Sequence, residues 1–245
     1  MEPRVALPRL ALPRLALPRL ALIVGAGSGL SASLARRLAR QNVQVALAAR
    51  NPDRLAGLCA ETGAVSFACE ASEPEEAAGL FDAVVASMGE PDVVIYNAAA
   101  RARGPIGTLV TDEVARAIAV TAYGGFLIGQ QAARLMVPKG AGTILFTGAS
   151  ASVKGYPQSA AFAMGKFALR GLAQSMAREL APQGVHVGHV VIDGAIRNPG
   201  RTEPADAPDS MLDPDAIADA YWTLIAQPRS AWSWEIELRP WVERF

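Results

Sequence analysis

The sequence is poor in the residues that build metal centres, disulfide frameworks and strongly charged surfaces. Its 245 residues include two cysteines and two histidines, and 23 basic side chains balance 23 acidic ones. Cys59 and Cys69 lack the spacing of a zinc site and are too few for a disulfide framework, which predicts free thiols, no metal and a cytoplasmic location. The balanced charge provides no field to attract nucleic acid or acidic lipid. A small-molecule substrate is therefore the expected partner, with no nucleic acid and no membrane.

No uninterrupted apolar run long enough to cross a membrane precedes the first predicted strand. The sequence ALPRL occurs three times between Ala6 and Leu20, and each copy contains a proline and an arginine. Proline removes a helical hydrogen bond and arginine is costly in hydrocarbon, so the repeats predict neither a spanning helix nor a signal peptide. We interpret residues 1–19 as an extension outside the fold. A proline-rich ligand for a protein partner is the alternative interpretation.

Short apolar runs alternate with longer amphipathic stretches over the rest of the chain. Nearly continuous apolar runs are typical of strands that are buried on both faces of a parallel sheet, with helices on either side. We therefore predict one α/β domain over residues 20–245, with a Rossmann-type, doubly wound parallel sheet flanked by helices. The predicted strands are Leu20–Gly25, Val43–Ala48, Ala64–Ala68, Asp92–Asn97, Thr143–Thr147 and Val185–Ile192.

Local patterns mark two helix starts and the end of the chain. Asp213 before Pro214 is typical of a helix cap, and Ser72 with Glu75 has the spacing of a capping box. In the aromatic-rich segment 231–245, the alternation of Trp234, Ile236 and Leu238 indicates packing against the sheet edge. A lid over a cleft and an anchor for an interface are the alternatives for this segment.

A glycine-rich turn follows the first predicted strand and leads into a helical pattern. Glycines allow a tight turn and a close approach to a pyrophosphate, whose charge is stabilised by free N–H groups at a helix start. An ordinary flexible turn is the alternative, but the position after the first strand of an alternating chain favours dinucleotide binding. The residues predicted to hold the pyrophosphate are Gly25, Gly27, Ser28, Gly29 and Leu30.

The second predicted strand runs into Arg50, where such folds meet the adenosine ribose. An acidic residue there would accept a hydrogen bond from the 2′-hydroxyl of NAD, whereas a guanidinium can pair with the 2′-phosphate of NADP. Arg50 therefore favours NADP, as NADPH, over NAD. A solvated arginine at a helix start is the alternative.

Several motifs, in order, resemble those of the short-chain dehydrogenase/reductase superfamily over about residues 20–228. GxxxGxG is similar to Gly25 and Gly29 followed by Ser31, NNAG is similar to residues 96–99, and PG is similar to Asp193 and Gly194. The resemblance implies the same pyrophosphate turn, with Glu70 and Ala71 near the adenine. It also implies that Asn97 and Ala98 flank the adenosine ribose and that Gly194 and Ile196 reach the nicotinamide.

The departures from this family concentrate at the catalytic positions. Its YxxxK motif resembles Phe162 to Lys166, so phenylalanine stands where the family's tyrosine exchanges the substrate proton. Thr121 stands in place of the family's asparagine and Ala149 in place of its serine. Lys166 alone is unchanged, and the resemblance implies that it binds the nicotinamide ribose.

Other side chains are candidates for the missing proton donor. Ser150, Tyr156 and Asp193 lie near the expected substrate side and can each bear a proton, so we predict them as catalytic candidates beside Lys166. Asp193 is the sharpest of the three, because bound nicotinamide would shield its carboxyl group. We expect an NADP-dependent oxidoreductase of a carbonyl/alcohol pair or a related unsaturated bond. A non-catalytic NADP-binding pseudoenzyme or structural subunit is the alternative.

Two predicted helices carry small residues that permit close packing between subunits. They span Thr111–Val137 and Ala160–Ala181 and include Gly124, Gly125 and Gly165. In the resembled family, these helices pair across a two-fold axis. We therefore expect a homodimer or a homotetramer.

Overall fold

A twisted sheet of parallel strands forms the centre of the computed structural model, which describes residues 17–243. Within this range seven strands are hydrogen-bonded in the order β3-β2-β1-β4-β5-β6-β7. This arrangement confirms the predicted doubly wound α/β fold, and all six predicted strands are present. The strands are β1 (Leu20–Val24), β2 (Gln44–Ala49), β3 (Val65–Ala68), β4 (Val93–Tyr96), β5 (Gly142–Thr147), β6 (Val185–Ile192) and β7 (Glu235–Leu238).

Helices cover both faces of the sheet. α4 and α5 are joined by a π-helical turn at Ala119–Tyr123, so the long predicted helix from Thr111 is one nearly continuous element with a wider turn inside it. The helices of the described range are α1 (Leu30–Ala39), α2 (Ala56–Thr62), α3 (Pro74–Met88), α4 (Thr111–Ile118), α5 (Gly124–Lys139), α6 (Ala160–Leu180) and α7 (Pro214–Ile225).

The strands are buried on both faces because their side chains enter two separate cores. Leu22 and Val24 of β1 join the core beneath α3, α5 and α6. Ala21 and Ile23, which point the opposite way, join the core beneath α1 and α7. This alternation explains why a strand of five successive apolar residues is stable here, since neither face meets water.

The chain reverses direction across the sheet at β1, which lies between β2 and β4. After β3 the chain crosses to the other side of β1, and the connections that leave β1 and β4 diverge to opposite faces. In open parallel sheets this switch point leaves a crevice at the carboxyl ends of the strands, where ligands bind. The turn at Gly25 and the loop after Tyr96 therefore border the position expected for a ligand.

Local hydrogen bonds confirm one predicted helix start and correct the other. Asp213 caps α7, and its Oδ1 accepts a 2.9 Å hydrogen bond from the Asp215 N–H. The capping box at Ser72 is wrong, because α3 begins at Pro74 with Glu73 in the cap position. A capping box at Ser72 would begin the helix at Glu73. Proline favours the first helical position, so the helix begins one residue later, at Pro74. The Ser72 hydroxyl donates to Glu70 Oε1 instead, at 3.1 Å.

The segment after α7 returns to the sheet as β7. It pairs in parallel with β6, so that Ile236 lies beside Val190 and Leu238 beside Ile192. Both apolar side chains pack against the core beneath α1 and α7. The predicted packing against the sheet edge is confirmed for this part of the aromatic-rich segment.

Two expectations about the whole chain stay predictions: its division into an extension and a domain, and its location. Residues 1–16 and 244–245 lie outside the described residues, so the division between an extension (1–19) and a domain (20–245) is not decided. Cys59 and Cys69 are free thiols, while the cytoplasmic location inferred from them stays a prediction. Among the helices of residues 17–243, none combines the length and the apolar character needed to cross a membrane.

Gly25 is required by backbone geometry, and Gly27 provides a matched control. Gly25 has a φ of 84°, and a Cβ built there would lie 2.4 Å from the Ala98 nitrogen, whereas a Cβ on Gly27 would meet nothing within 4 Å. We expect Gly25→Ala to lower the free energy of unfolding by about 2–4 kcal/mol through left-handed strain and overpacking. Gly27→Ala should change it by less than about 0.5 kcal/mol. Urea unfolding of both variants measures this, and equal losses would contradict it.

Candidate active site

Two adjoining cavities lie along the carboxyl edge of the sheet. The first has a volume of about 520 Å³ and the second about 280 Å³. Asn97, Ala99 and Arg101 line both cavities, so the two form one continuous cleft past the end of β4. The first also contains the predicted residues Gly25, Arg50, Glu70, Ala71 and Ala98. The second contains the predicted residues Leu30, Lys166, Gly194 and Ile196.

The glycine-rich turn has the features that a pyrophosphate requires. α1 begins at Leu30, and Gly29 in the cap position has no side chain to bind the first helical N–H groups. These N–H groups carry the positive end of the helix dipole. The space beside Gly27 is open. The residues of this turn therefore fit the diphosphate of a dinucleotide.

Ser31 joins the glycine turn to the loop after β4. Its hydroxyl donates a 3.1 Å hydrogen bond to the Gly25 carbonyl and accepts one of 2.7 Å from Asn97 Nδ2. The Asn97 N–H in turn donates to the Val24 carbonyl at 2.8 Å. The serine that stands in place of the third glycine therefore holds the two predicted cofactor-binding segments together.

Arg50 lies at the rim of the first cavity, beside Glu70. Its side chain is 68% exposed, and its Nη1 lies 4.0 Å from Glu70 Oε2. That separation is too long for a hydrogen bond, so the guanidinium donors are not committed to the carboxylate. The guanidinium N–H groups of Arg50 can therefore bind an anion at the cavity rim.

Lys166 of α6 is buried at the base of the second cavity. Its Nζ donates a 2.5 Å hydrogen bond to the Thr147 carbonyl at the end of β5. Burial, assisted by the positive charge of Arg101, lowers its pKa to about 7. Arg101 and Arg201 also line this cavity, but a guanidinium keeps its protons at neutral pH. Lys166 is therefore the lining side chain that can gain or lose a proton near neutrality.

Phe162 lies one helical turn before Lys166 and faces the same cavity. The centre of its ring is 5.7 Å from Lys166 Nζ and 3.8 Å from the Arg101 guanidinium carbon. A phenyl ring attracts cations through its π face but has no proton to transfer. Ala149 also lines the cavity and likewise lacks a hydroxyl group. The two positions that resemble the family's tyrosine and serine are therefore both apolar.

The other predicted proton donors lie outside the lining of this cavity in the described structure. Ser150 is partly buried and Tyr156 is exposed. Asp193 is 2% exposed, and its carboxylate lies 3.2 Å from Lys154 Nζ and 3.8 Å from Arg239 Nη2. The carboxylate is thus held in ion pairs with two cations, away from the lining of the cavity. The catalytic roles of the three residues stay predictions.

Thr121 connects the π-helical turn to the loop after β4. It is fully buried, and its Oγ1 accepts a 3.1 Å hydrogen bond from the Ala100 N–H. A Cβ on Gly165 would lie 2.8 Å from the Thr121 Cβ, so α6 passes very close to this turn. Thr121 therefore fixes the loop that carries Arg101.

A buried chain of hydrogen bonds beneath the second cavity was not predicted from the sequence. Ser152 Oγ accepts from the Ala149 N–H at 3.1 Å and lies 3.4 Å from His189 Nε2. His189 Nδ1 lies 2.9 Å from Glu235 Oε2, and Arg170 binds the same carboxylate through two hydrogen bonds. Because Nδ1 donates to the carboxylate, Nε2 accepts from the Ser152 hydroxyl. The chain thus runs from α6 and β7 to the backbone of Ala149.

These hydrogen-bonded side chains position the loop after β5 and do not contact a substrate. Ser152 and His189 are fully buried, so the serine–histidine–glutamate arrangement has no access to the cleft. A Cβ on Gly148 would lie 2.5 Å from the imidazole, so the loop rests directly on His189. His189 lies within the apolar run of β6, and its partners are too distant in sequence for spacing to reveal them.

Comparison with known proteins identifies the family. The family model of the short chain dehydrogenases matches residues 19–204. The short chain aldehyde dehydrogenase 1 of Euphorbia lathyris is 28% identical over 181 residues, which are 71% of this chain and 63% of that protein. The chain therefore spans less than two thirds of that relative.

Solved structures of related proteins cover almost the whole chain. A short-chain dehydrogenase from Rhodopseudomonas palustris is 38% identical, with a TM-score of 0.76, and the match covers 91% of this chain and 98% of that one. A metagenomic short-chain oxidoreductase in complex with NADP is 28% identical, with a TM-score of 0.80 and coverage of 91% and 97%. The chain belongs to the short-chain dehydrogenase/reductase family, whose members are NAD(P)-dependent oxidoreductases.

His189 should make stability depend on pH. Burial lowers its pKa from 6.5 to about 4, although Glu235 opposes this shift. Between these values the unfolded chain binds a proton at His189 and the folded chain does not, so the free energy of unfolding should fall as pH decreases. We expect a loss of at most about 3 kcal/mol from this group.

The variant His189→Asn isolates this contribution. Asparagine can still donate to Glu235 but does not titrate, so the variant should lose less stability than the unmodified protein between about pH 6.5 and 4. Urea unfolding at a series of pH values measures the difference. Parallel pH profiles for the two proteins would contradict the assignment.

Proposed function

We propose that the protein is an NADP-dependent oxidoreductase that acts on a carbonyl/alcohol pair or a related unsaturated bond, with Lys166 as the proton donor. The observation that carries this proposal is a buried lysine at the base of a cavity that adjoins the glycine-rich turn. Among the residues that line this cavity, Lys166 alone can exchange a proton near pH 7. A general acid works best when its pKa lies near the working pH.

NADP is favoured over NAD by the charge at the end of β2. Arg50 lines the first cavity beside the turn that fits the diphosphate. Its planar fork matches a phosphate better than a hydroxyl group. The related metagenomic enzyme, solved in complex with NADP, supports this choice of cofactor.

Each part of the cleft has a distinct task in the proposed reaction. Bound NADPH supplies the hydride, and Gly194 and Ile196 border the place for its nicotinamide. Lys166 delivers a proton to the carbonyl oxygen, and its ammonium charge stabilises the negative charge that develops there. The hydrogen bond to the Thr147 carbonyl holds Nζ in place during this transfer. Phe162 and Ala149 supply apolar walls that exclude water.

A non-catalytic NADP-binding role is the second candidate. The apolar residues at positions 149 and 162 favour it, because both lie in the cavity and neither can exchange a proton. The two functions differ in turnover. A protein that binds NADPH but reduces no member of a broad panel of aldehydes, ketones, imines and enones would be the non-catalytic one.

We also propose that the chain forms a homodimer or a homotetramer through α5 and α6. Both helices leave large apolar side chains exposed, which is unusual for a surface that meets only water. Tyr123 and Phe126 stack with their ring centres 6.1 Å apart and are 46% and 41% exposed. Met164 and Phe167 of α6 are 54% and 45% exposed.

Replacement of Arg50 tests the cofactor assignment. Arg50→Asp should weaken NADPH binding by about 1.5–3 kcal/mol, because the variant loses a charge-assisted hydrogen bond. Binding of NADH should change much less. Arg40→Asp removes another exposed positive charge, at the C-cap of α1, and is the control. Calorimetric titration measures both affinities, and equal affinity of the unmodified protein for NADPH and NADH would contradict the assignment.

Replacements of Lys166 and Phe162 test the proton donor. For reduction, kcat should fall as pH rises through about 7, because the acid must be protonated. Lys166→Met should lower kcat by about 100-fold or more, and kcat of the variant should no longer fall as pH rises through about 7. Phe162→Tyr should raise kcat by less than about tenfold, since Lys166 already provides the proton. NADPH affinity, measured separately, shows whether Lys166→Met acts on binding instead.

Two results would contradict this assignment of the donor. The first is a gain above about 100-fold for Phe162→Tyr, which would show that the tyrosine hydroxyl is the missing acid. The second is a Lys166→Met variant that binds NADPH weakly but keeps its kcat and its pH profile. Lys166 would then only hold the cofactor.

The proposed assembly can be tested by light scattering at micromolar concentration. The unmodified protein should have the mass of a dimer or a tetramer, and Phe167→Glu should reduce that mass because a buried charge destabilises the interface. Ile106→Glu is the matched control, since Ile106 is 79% exposed and belongs to neither helix. A monomeric unmodified protein would contradict the proposal.

A further inference from the structure

The second cavity carries an excess of positive charge. Arg101, Lys166 and Arg201 line it, and among the described residues 17–243 no aspartate or glutamate belongs to its lining. The first cavity differs, because Glu70 and Glu113 line it together with its arginines. The region beside Phe162 is thus the more cationic end of the cleft.

Arg101 and Arg201 are not neutralised by carboxylates within residues 17–243. Other arginines of this range have such partners: Arg36 pairs with Glu61, Arg170 with Glu235, and Arg197 with Asp213. Arg101 instead stacks on the Phe162 ring. Burial lowers its pKa, and repulsion from Arg103 and Arg201 lowers it further. Both residues are exposed, so the fold presents two neighbouring cations that repel one another and that an anion would stabilise.

The two arginines differ in how they relate to the first cavity, because Arg101 lines both cavities. Arg201 lines the second cavity and is absent from the lining of the first. Its backbone is fixed by reciprocal hydrogen bonds with Asn198 of 2.9 and 3.0 Å. The glycine-rich turn borders the first cavity at Gly25 and the second at Leu30. Arg101 therefore lies where the two cavities meet, and Arg201 marks the end of the cleft away from the first cavity.

We propose that the substrate carries a carboxylate, which Arg101 and Arg201 bind while its carbonyl group faces Lys166. This inference rests on the proposed function and names the substrate class. A guanidinium matches the two oxygens of a carboxylate with parallel hydrogen bonds. The cavity of about 280 Å³ must also admit the nicotinamide ring. The substrate is therefore a small oxo or hydroxy acid.

Phe162 acquires a role in this arrangement. The Arg101 guanidinium stacks on its ring, with the guanidinium carbon 3.8 Å from the ring centre. A tyrosine there would place a hydroxyl group at the ring edge that competes for the same carboxylate. The phenyl ring thus leaves the arginine donors for the substrate.

Binding of unreactive ligands tests this inference independently of turnover. Pentanoate and pentanamide have nearly the same shape and differ in charge, and we would titrate each into the NADP⁺-loaded protein by calorimetry. At about pH 6 most of the pentanoate is ionised and Lys166 is largely protonated. We expect pentanoate to bind at least about tenfold more tightly than pentanamide.

Variants assign that preference to the two arginines. Arg101→Gln and Arg201→Gln should each reduce the preference for pentanoate by about tenfold and leave NADP⁺ affinity within about threefold. Arg103→Gln removes a neighbouring charge that does not line the cavity and should change the preference by less than about threefold. Circular dichroism confirms that each variant is folded.

Three results would overturn the inference. The first is equal affinity for pentanoate and pentanamide. The second is an Arg101→Gln variant that loses NADP⁺ affinity while it keeps the preference, which would make Arg101 a cofactor residue. The third is an unchanged preference in both arginine variants.

The outcomes also separate this inference from the proposed function. Turnover of neutral ketones without any carboxylate preference would leave the oxidoreductase intact and refute the substrate class. If the protein failed to bind NADP(H), the proposed function would fail first. The same carboxylate titration without nucleotide would then still decide whether the anion site exists.

Discussion

A buried ammonium group governs the arrangement of the catalytic end of the cleft. Removing a charge from water costs several kcal/mol, and Lys166 recovers part of that cost through the Thr147 carbonyl. That carbonyl is available because it ends a strand, and Thr147 is held there by a 2.7 Å hydrogen bond between its hydroxyl and that of Tyr221. The incomplete compensation brings the pKa of Lys166 to about 7. A residue that serves mainly to hold cofactor in the resembled family can therefore also exchange protons here.

The same electrostatic balance connects Lys166 to Arg101. The guanidinium favours the neutral lysine, and both cations lie near the Phe162 ring. A carboxylate bound to Arg101 would offset this repulsion and favour the protonated lysine. Substrate binding would then favour the protonated form of Lys166, because a ligand that stabilises the charged form of a lysine raises its pKa. Phe162 contributes to this coupling by holding Arg101 close to the lysine.

Most of the fold was predictable because its signals are local. Buried parallel strands are continuous apolar runs, and β6 was predicted at its observed bounds, Val185–Ile192. The cleft-lining positions of Gly25, Asn97 and Gly194 were predictable too, since these residues follow strands at which the chain must change direction. Where two local signals competed, the stronger one prevailed, as when Pro74 displaced the cap expected at Ser72.

The rest of the site depends on contacts between distant segments, which spacing does not reveal. Arg101 and Arg201 are a hundred residues apart and meet only when the loops after β4 and β6 face the same cavity. Likewise, Asp193 was a candidate acid by position alone, and its cations Lys154 and Arg239 come from two other segments. The sequence supports a list of candidates, but the fold decides which of them share a cavity.

The hydrogen-bond chain beneath Ala149 ties the active site to the order in which the chain is made. Glu235 belongs to β7, which leaves the ribosome after every other strand, yet it orients His189 and thereby the loop after β5. The loop after β5 therefore depends on β7, the last of the strands within residues 17–243, although that loop comes much earlier in the chain.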